Sequence, residues 1–244
     1  MNIAIVIPSY NELENIKKLI ESILIAIKNP KIVIVDDSLS NSIEEITKNF
    51  DNINYIFRGK KLGRGSAVIQ GMNSVINDKE INKIIEMDAD LSHDPQEIKR
   101  NLQKFEDEDL DLLISSRYLN GSKIINWSLN RKIFSFLSNK LTKFVLQVPI
   151  TDYTNGFRIY SRKSVEHIIA NCGKIGDGFI ILSEILVELH FNNFKVSETH
   201  SVFKNRVRGT SSVTLREILN AFFGLFKILA KKRKIISKSK KASV

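Results

Sequence analysis

The sequence predicts an α/β fold with a mostly parallel central sheet covered by helices on both faces. Short runs of Ile and Val without polar alternation recur through the first two-thirds of the chain, as strands buried on both faces require. Several are followed by segments whose apolar residues recur at three- and four-residue steps. An apolar content of 43% over 244 residues supplies a sizeable core, enough for one large domain or one domain with an appendage.

The elements follow in order. Ile3–Pro8 reads as the first strand, and "NELENIKKLIESILIAI" as a helix capped by Asn11 with Glu14 three residues on. Ile16, Leu19, Ile20, Ile23 and Ile27 form its apolar stripe. Lys31–Asp36 is a second strand, and Ile43–Asn49 a short helix. Ile53–Phe57 is a third strand, followed by the glycine turn "KKLGRG" and a helix through Met72. Ile81–Met87 and Leu110–Ser115 complete the strand series. From Trp127 the pattern changes to apolar segments with interspersed cations, "WSLNRKIFSFLSNKLTKFVLQV" and "TLREILNAFFGLFKILAKK". The second reads as an amphipathic helix that either packs on the domain or lies in a membrane interface. The expected organisation is a catalytic domain over 1–213, an amphipathic helix over 214–230 and a basic tail over 231–244.

Composition narrows the function. The chain opens without a basic signal-type segment and holds no apolar run of the ~18 residues that span a bilayer. The single cysteine, Cys172, rules out an internal disulfide, and the 4 histidines lack zinc-ligand spacing. An intracellular, reducing setting is expected. Of the net charge of +10, seven charges lie beyond Ala230. Such a tail is solvated, or it meets an anionic membrane surface or nucleic acid.

The chemistry concentrates at expected strand ends. In "MDADLSHDP", Asp88 and Asp90 are two residues apart, so they face one side where a strand runs out. Open parallel sheets bind ligands at that edge. Two carboxylates there suit a hard divalent cation, Mg²⁺ or Mn²⁺; otherwise one caps a turn and the other is solvated. "VIPSYNE" brings Pro8, Tyr10 and Glu12 to the same edge, and "VIVDD" brings Asp36 and Asp37. Tyr10 could flank a base, and one of these carboxylates could accept hydrogen bonds from a base or ribose. Gly63 and Gly65 precede a helix and allow close backbone approach to a ligand.

Taken together, "IPSYNE", "IVDD", "LGRGSAVIQG" and "MDADLSHDP" resemble the family-2 inverting glycosyltransferases of the GT-A fold. "SSRY", "TDYTNGF", "DGFIILSEIL" and "RVRGTSS" narrow the resemblance to the dolichol-phosphate (polyprenol-phosphate) mannose synthases. It covers roughly residues 1–215 and implies transfer of a sugar, from GDP-mannose, to a polyprenyl phosphate at the cytoplasmic membrane face. By that resemblance Pro8, Tyr10, Glu12 and Asp37 hold the nucleoside. Asp88 and Asp90 bind the metal, with Ala89 along the sugar nucleotide. Arg117 and Arg131 meet the acceptor phosphate, and Arg206 closes over the donor. Asp90, Arg117 and Arg131 are therefore the expected catalytic set. Asp152 and Asn155 either line the sugar pocket or form a turn. Glu184, alone in an apolar helical run, is functional or paired, and His93 is a supporting residue.

The chain departs from the pattern in places. It has "SLSNSIEE" where the family carries D-G-T, and Ile180 and Ser212 stand where the family has lysines. Lys204 and Arg208 could compensate. A UDP-sugar donor such as UDP-glucose, a non-lipid acceptor, or a non-catalytic basic module are the competing readings. The expected partners are a nucleotide sugar, a polyprenyl phosphate, a membrane surface and a membrane-anchoring subunit, with no nucleic acid.

Overall fold

The computed structural model describes residues 2–176, 178–205 and 215–242. Its centre is a seven-stranded sheet in the order β3-β2-β1-β4-β7-β5-β8. The strands are β1 (Ile3–Ser9), β2 (Lys31–Asp36), β3 (Ile53–Phe57), β4 (Lys83–Glu86), β5 (Leu112–Ser116), β7 (Arg158–Ser161) and β8 (Val196–His200). Every pairing is parallel except those of β7, which runs antiparallel between β4 and β5. The pair β6 (Lys123–Ile125) and β9 (Val202–Lys204) forms a separate parallel ribbon.

Alternation along the strands divides the core into two layers. Ala4 and Val6 of β1, Val33 and Val35 of β2 and Ile84 of β4 face one layer. That layer includes helices α3 (Arg64–Ile76), α6 (Arg162–Asn171) and α7 (Ile180–Phe191). Ile3, Ile5, Ile7, Ile32, Ile34 and Ile85 face the other, with α1 (Leu13–Ala26) and α4 (Glu97–Asp107). Gly71 of α3 allows that helix to lie close on β1, since a Cβ there would stand 2.4 Å from a Val6 methyl.

Three expected boundaries shift. Asn11 is not the cap of α1: it takes a left-handed φ of 58°, and Glu12 occupies the cap position. The second helix, α2, ends at Thr47 (Ile43–Thr47). β4 is confined to Lys83–Glu86, which leaves Met87–Asp90 as a loop at the strand's carboxyl end. The four-residue β7 and its antiparallel direction were not legible from the sequence.

Helix α5 (Leu129–Leu146) and the long α8 (Leu215–Ala242) pack on one another at the flank. The basic stretch beyond Ala230 continues α8 through Ala242 rather than forming a separate tail. Lys231 explains why Glu184 sits in an apolar run: its ammonium lies 2.9 Å from Glu184 and 2.8 Å from Glu188, both buried on α7. It also donates to the Asn171 carbonyl at the end of α6. Ile180, at the family's lysine position, fits against Gly224 of α8, where a Cβ would come within 2.6 Å of it. Ile180 thus serves helix docking. Replacing Lys231 by Met strands two buried carboxylates and is expected to cost about 3–5 kcal/mol in urea unfolding.

Candidate active site

The carboxyl ends of β1, β2 and β4 lie side by side, with Ser9 opposite Asp36 and Val6 opposite Glu86. This register collects Pro8, Tyr10, Glu12, Asp37, Asp88, Ala89 and Asp90 at one edge. The sequence places them in three separate segments.

Beyond β4 the alternation persists. Met87 and Ala89 are buried in the layer beneath α1 and α4, while Glu86 and Asp88 point the other way, to Arg64 at the start of α3. The Arg64 Nε and Nη2 donate to Asp88 Oδ1 at 2.9 and 2.7 Å. Its Nη1 lies 2.6 Å from Glu86 Oε1. The other Glu86 oxygen accepts from the Tyr160 hydroxyl at 2.7 Å. His93 Nε2 stands 3.2 Å from Asp88 Oδ2, and the ring is wedged between Phe157 and Phe203. Burial alone would raise the Asp88 carboxyl, but Arg64 and then His93 outweigh it and hold it well below the ordinary range. Gly156 is required here, because a Cβ would stand 2.1 Å from Arg64 Nη2. Asp90 accepts from the Ser92 amide at 3.1 Å across Leu91, a bulky residue in the left-handed region at φ 59°. Backbone strain of this kind gathers at functional turns.

Among the described residues no cluster of three or more His, Cys, Asp or Glu side chains forms a metal cage. Asp88 and Asp90 nevertheless fit Mg²⁺ or Mn²⁺. They are hard oxygen donors, too few to fill a shell, which suits an ion completed by phosphate and water. The guanidinium drawn onto Asp88 shows the same demand for positive charge.

Asp37 is engaged on both oxygens. Oδ2 accepts from the Leu62 and Gly63 amides at 2.9 and 2.8 Å, and Oδ1 pairs with Arg58. It therefore shapes the glycine turn of "LGRG". Asp36 accepts from Ser38 and from the Tyr55 hydroxyl. The Glu12 carboxylate accepts from Asn15 at 2.6 Å. Lys61 lies over the Tyr10 ring, 5.1 Å from its centroid.

A second cluster gathers around Trp127. The Arg131 guanidinium is 4.0 Å and that of Arg117 5.7 Å from its ring centroids. Arg131 also donates to Asn205 at 2.9 Å. Arg117 is buried and forks onto Asp152, Nε to Oδ2 at 2.7 Å and Nη2 to Oδ1 at 2.8 Å. Glu198 in turn accepts from the Thr151 and Asp152 amides. Phe203 packs edge-on to both Trp127 and His93, so one aromatic column joins the two clusters. Asp152 Oδ1 accepts from the Thr154 and Asn155 amides, and Asn155 donates to the Ser115 carbonyl, so the "TDYTNGF" segment is a turn braced from within and tied to β5. Arg206 lies outside the described residues, as do Arg208 and Ser212. Lys204 stands 3.6 Å from Asp94.

Arg64, Glu86, Arg58 and Trp127 escaped the sequence reading. Arg64 did leave a signal: a cation in the first turn of a helix opposes the macrodipole and needs a local carboxylate.

A mostly parallel sheet with a D-x-D turn at the carboxyl ends of its strands is the pattern of a GT-A-type glycosyltransferase, and the family comparison agrees. The family model for glycosyl transferase family 2 matches residues 4–169, and the chain belongs to that family. Among curated relatives, it is 30% identical over 224 residues to a polyprenol monophosphomannose synthase of Mycolicibacterium smegmatis, covering 90% of this chain and 83% of the relative. It is 32% identical over 237 residues to a dolichol-phosphate mannosyltransferase of Pyrococcus furiosus, covering 93% of this chain but 64% of that protein's length. Of solved structures, glucosyl-3-phosphoglycerate synthase of Mycobacterium tuberculosis superimposes with a TM-score of 0.65 at 15% identity. The match covers 95% of this chain and 80% of that one. At such identity the likeness carries the fold alone.

Burial tends to raise the Asp152 carboxyl, but Arg117 outweighs it and the carboxyl is depressed. A depressed carboxyl stabilises the fold fully above the unfolded value of about 4, and that contribution is lost as pH falls below it. Arg117→Met is expected to lose about 3–5 kcal/mol at pH 7, because Asp152 is left buried and unpaired. Urea unfolding should show the gap to wild type narrowing as the pH drops below about 4, where the wild type loses the contribution of the pair. In the variant, burial without Arg117 raises the Asp152 carboxyl, so its stranded charge is already relieved above that pH.

Proposed function

We propose that the chain transfers mannose from GDP-mannose to the phosphate of a polyprenyl phosphate, with inversion, at the cytoplasmic face of a membrane. The observation that carries this reading is on α5. The helix that supplies Arg131 exposes Ile133, Leu137, Leu141 and Phe144, spaced at four and three residues along one face. Phe134, 58% exposed, widens it, and Lys132, Lys140 and Lys143 lie among them. Phe222, Phe223 and Phe226 of α8 are exposed as well. An apolar surface with cations beside phosphate-binding arginines suits a lipid whose phosphate must enter the site while its chain stays in the bilayer. The chemistry named for the two curated relatives supports the same reading. Among the described residues no helix is long and apolar enough to cross a membrane, so these two surfaces, or an anchoring subunit, would hold the protein there.

The residues perform this transfer without a general base. A phosphate monoester has a second pKa of about 6 and is already anionic near neutral pH. One acceptor oxygen forms a bond to the anomeric carbon as the bond from that carbon to the diphosphate breaks on the opposite side. Arg131, beside Trp127, orients the acceptor as a bidentate fork. Arg117 positions that group and completes its positive field. Pro8, Tyr10, Glu12 and Asp37 frame the nucleoside, with Ala89 along the sugar and Arg206 over the donor. When bound between Asp88 and Asp90, Mg²⁺ or Mn²⁺ supplies charge neutralisation for the departing diphosphate.

Transfer of radiolabelled sugar to a polyprenyl phosphate, with Mn²⁺ or with a chelator, tests the reading. GDP-mannose is expected to serve and UDP-glucose and UDP-GlcNAc to fail; transfer from a UDP-sugar alone would overturn the donor. Asp90→Asn is expected to lower turnover by about 10²–10³. In flotation with anionic phosphatidylglycerol vesicles, Leu137→Glu/Phe144→Glu is expected to leave the membrane fraction while folding normally. Equal flotation of variant and parent would remove α5 from the contact.

A further inference from the structure

Arg64 belongs to neither the expected nucleoside set nor the metal pair, yet it touches the centre of both. Its guanidinium serves two carboxylates of unlike standing. Glu86 is fully buried and pairs with Arg64. The buried Arg158 opposite it on β7 spends its guanidinium on the Tyr153, Asn155 and Leu182 carbonyls, so Glu86 anchors Arg64. Asp88 is 22% exposed on its side chain and faces the crevice. Two N–H groups on Oδ1 and His93 on Oδ2 use three of the roughly four acceptor directions of the Asp88 carboxylate. Nη1 is close to Glu86 but misaligned, and neither atom makes a well-formed hydrogen bond. The guanidinium therefore has donor capacity left for a third acceptor beside Asp88.

We infer that Arg64 is an anchored counter-ion that makes divalent-metal and nucleotide-diphosphate binding mutually dependent. In the free protein it covers Asp88 and repels a bare divalent cation. When a diphosphate enters with its metal, the edge of the fork facing Asp88 takes a phosphate oxygen, while Glu86 keeps the group in place. Gly156 leaves the fork the space in which to shift, and the Phe179 ring, 5.3 Å from the guanidinium carbon, forms a further wall. The inference rests on the metal-and-diphosphate reading of this edge but not on which nucleotide is used.

The test measures Mn²⁺ binding by electron paramagnetic resonance of the free ion, alone and with saturating GDP or UDP. Nucleotide is expected to tighten Mn²⁺ binding to the wild-type protein, with a coupling in the usual range of about 5–150-fold. Arg64→Gln is expected to bind Mn²⁺ alone about tenfold more tightly and to lose most of that coupling. Arg64→Lys keeps an anchored charge without the fork and is expected to fall between them. Identical Mn²⁺ affinity without nucleotide in all three proteins, each with an unchanged far-ultraviolet dichroism spectrum, would overturn the inference. So would a coupling that survives Arg64→Gln intact. Coupling with UDP in place of GDP would revise the donor and leave the inference standing, so the two failures are distinguishable.

Discussion

Glu86 and Asp88 leave the end of β4 on the same side of the chain, and the rest of the site answers the cost of placing two carboxylates there. Glu86 is wholly buried, and at that depth a carboxylate left without a partner is costly. Arg64 from α3 and the Tyr160 hydroxyl from β7 prevent this. The hydroxyl keeps its proton and donates it to Glu86, since burial, and after it Glu86, push its pKa well above the ordinary tyrosine value. The antiparallel β7 thus has a function beyond widening the sheet. Its register with β4 sets Tyr160 opposite Ile84, next to the carboxylate, and the loop leading into it supplies Gly156, which makes room for the guanidinium.

The second cluster follows the same rule with different partners. Arg117 and Asp152 are buried together, and each is tolerable only because the other is there. Glu198 fixes the Asp152 backbone, and Thr154 accepts a further bond from Arg117. The Arg117 guanidinium is thus committed to Asp152 and Thr154 and buried, whereas Arg131 is the more open of the two. Between the clusters, Trp127, Phe203 and His93 meet edge to face, so the two clusters share one wall of rings.

On the flank, one helix holds two unlike surfaces. α8 turns Leu225, Ile228 and the Lys231 ammonium inward, and Phe222, Phe223 and Phe226 outward. Its inner face is pinned by ion pairs to α7 and by the close fit of Gly224 on Ile180. The outward aromatic residues meet one another edge to face, and the cations of the helix's last turn add charge to the same helix.

The order of strands and helices, the parallel character of the sheet and the gathering of Asp88, Asp90 and Tyr10 at strand ends were all determined locally. Runs of Ile and Val need burial on both faces, helical stripes need a core to cover, and turn residues stop each strand where it must stop. Those forces act over a few residues, and they are written in the spacing. The partnerships were decided elsewhere. Nothing near Asp37 in sequence announces Arg58, nor does anything near Glu184 announce Lys231, 47 residues away. Of the "DD", Asp37 pairs with Arg58 while Asp36 accepts from Ser38 and the Tyr55 hydroxyl, and Glu184, read as functional or paired, meets Lys231. Arg64 passed as part of a glycine turn until β4 and β7 placed Glu86, Asp88 and Gly156 around it. By itself the sequence determined which acidic and aromatic residues stand together at the carboxyl ends of the strands. Only the tertiary structure decided which charges there are already spent on one another, because a buried charge is defined by what the fold brings within about 3 Å of it.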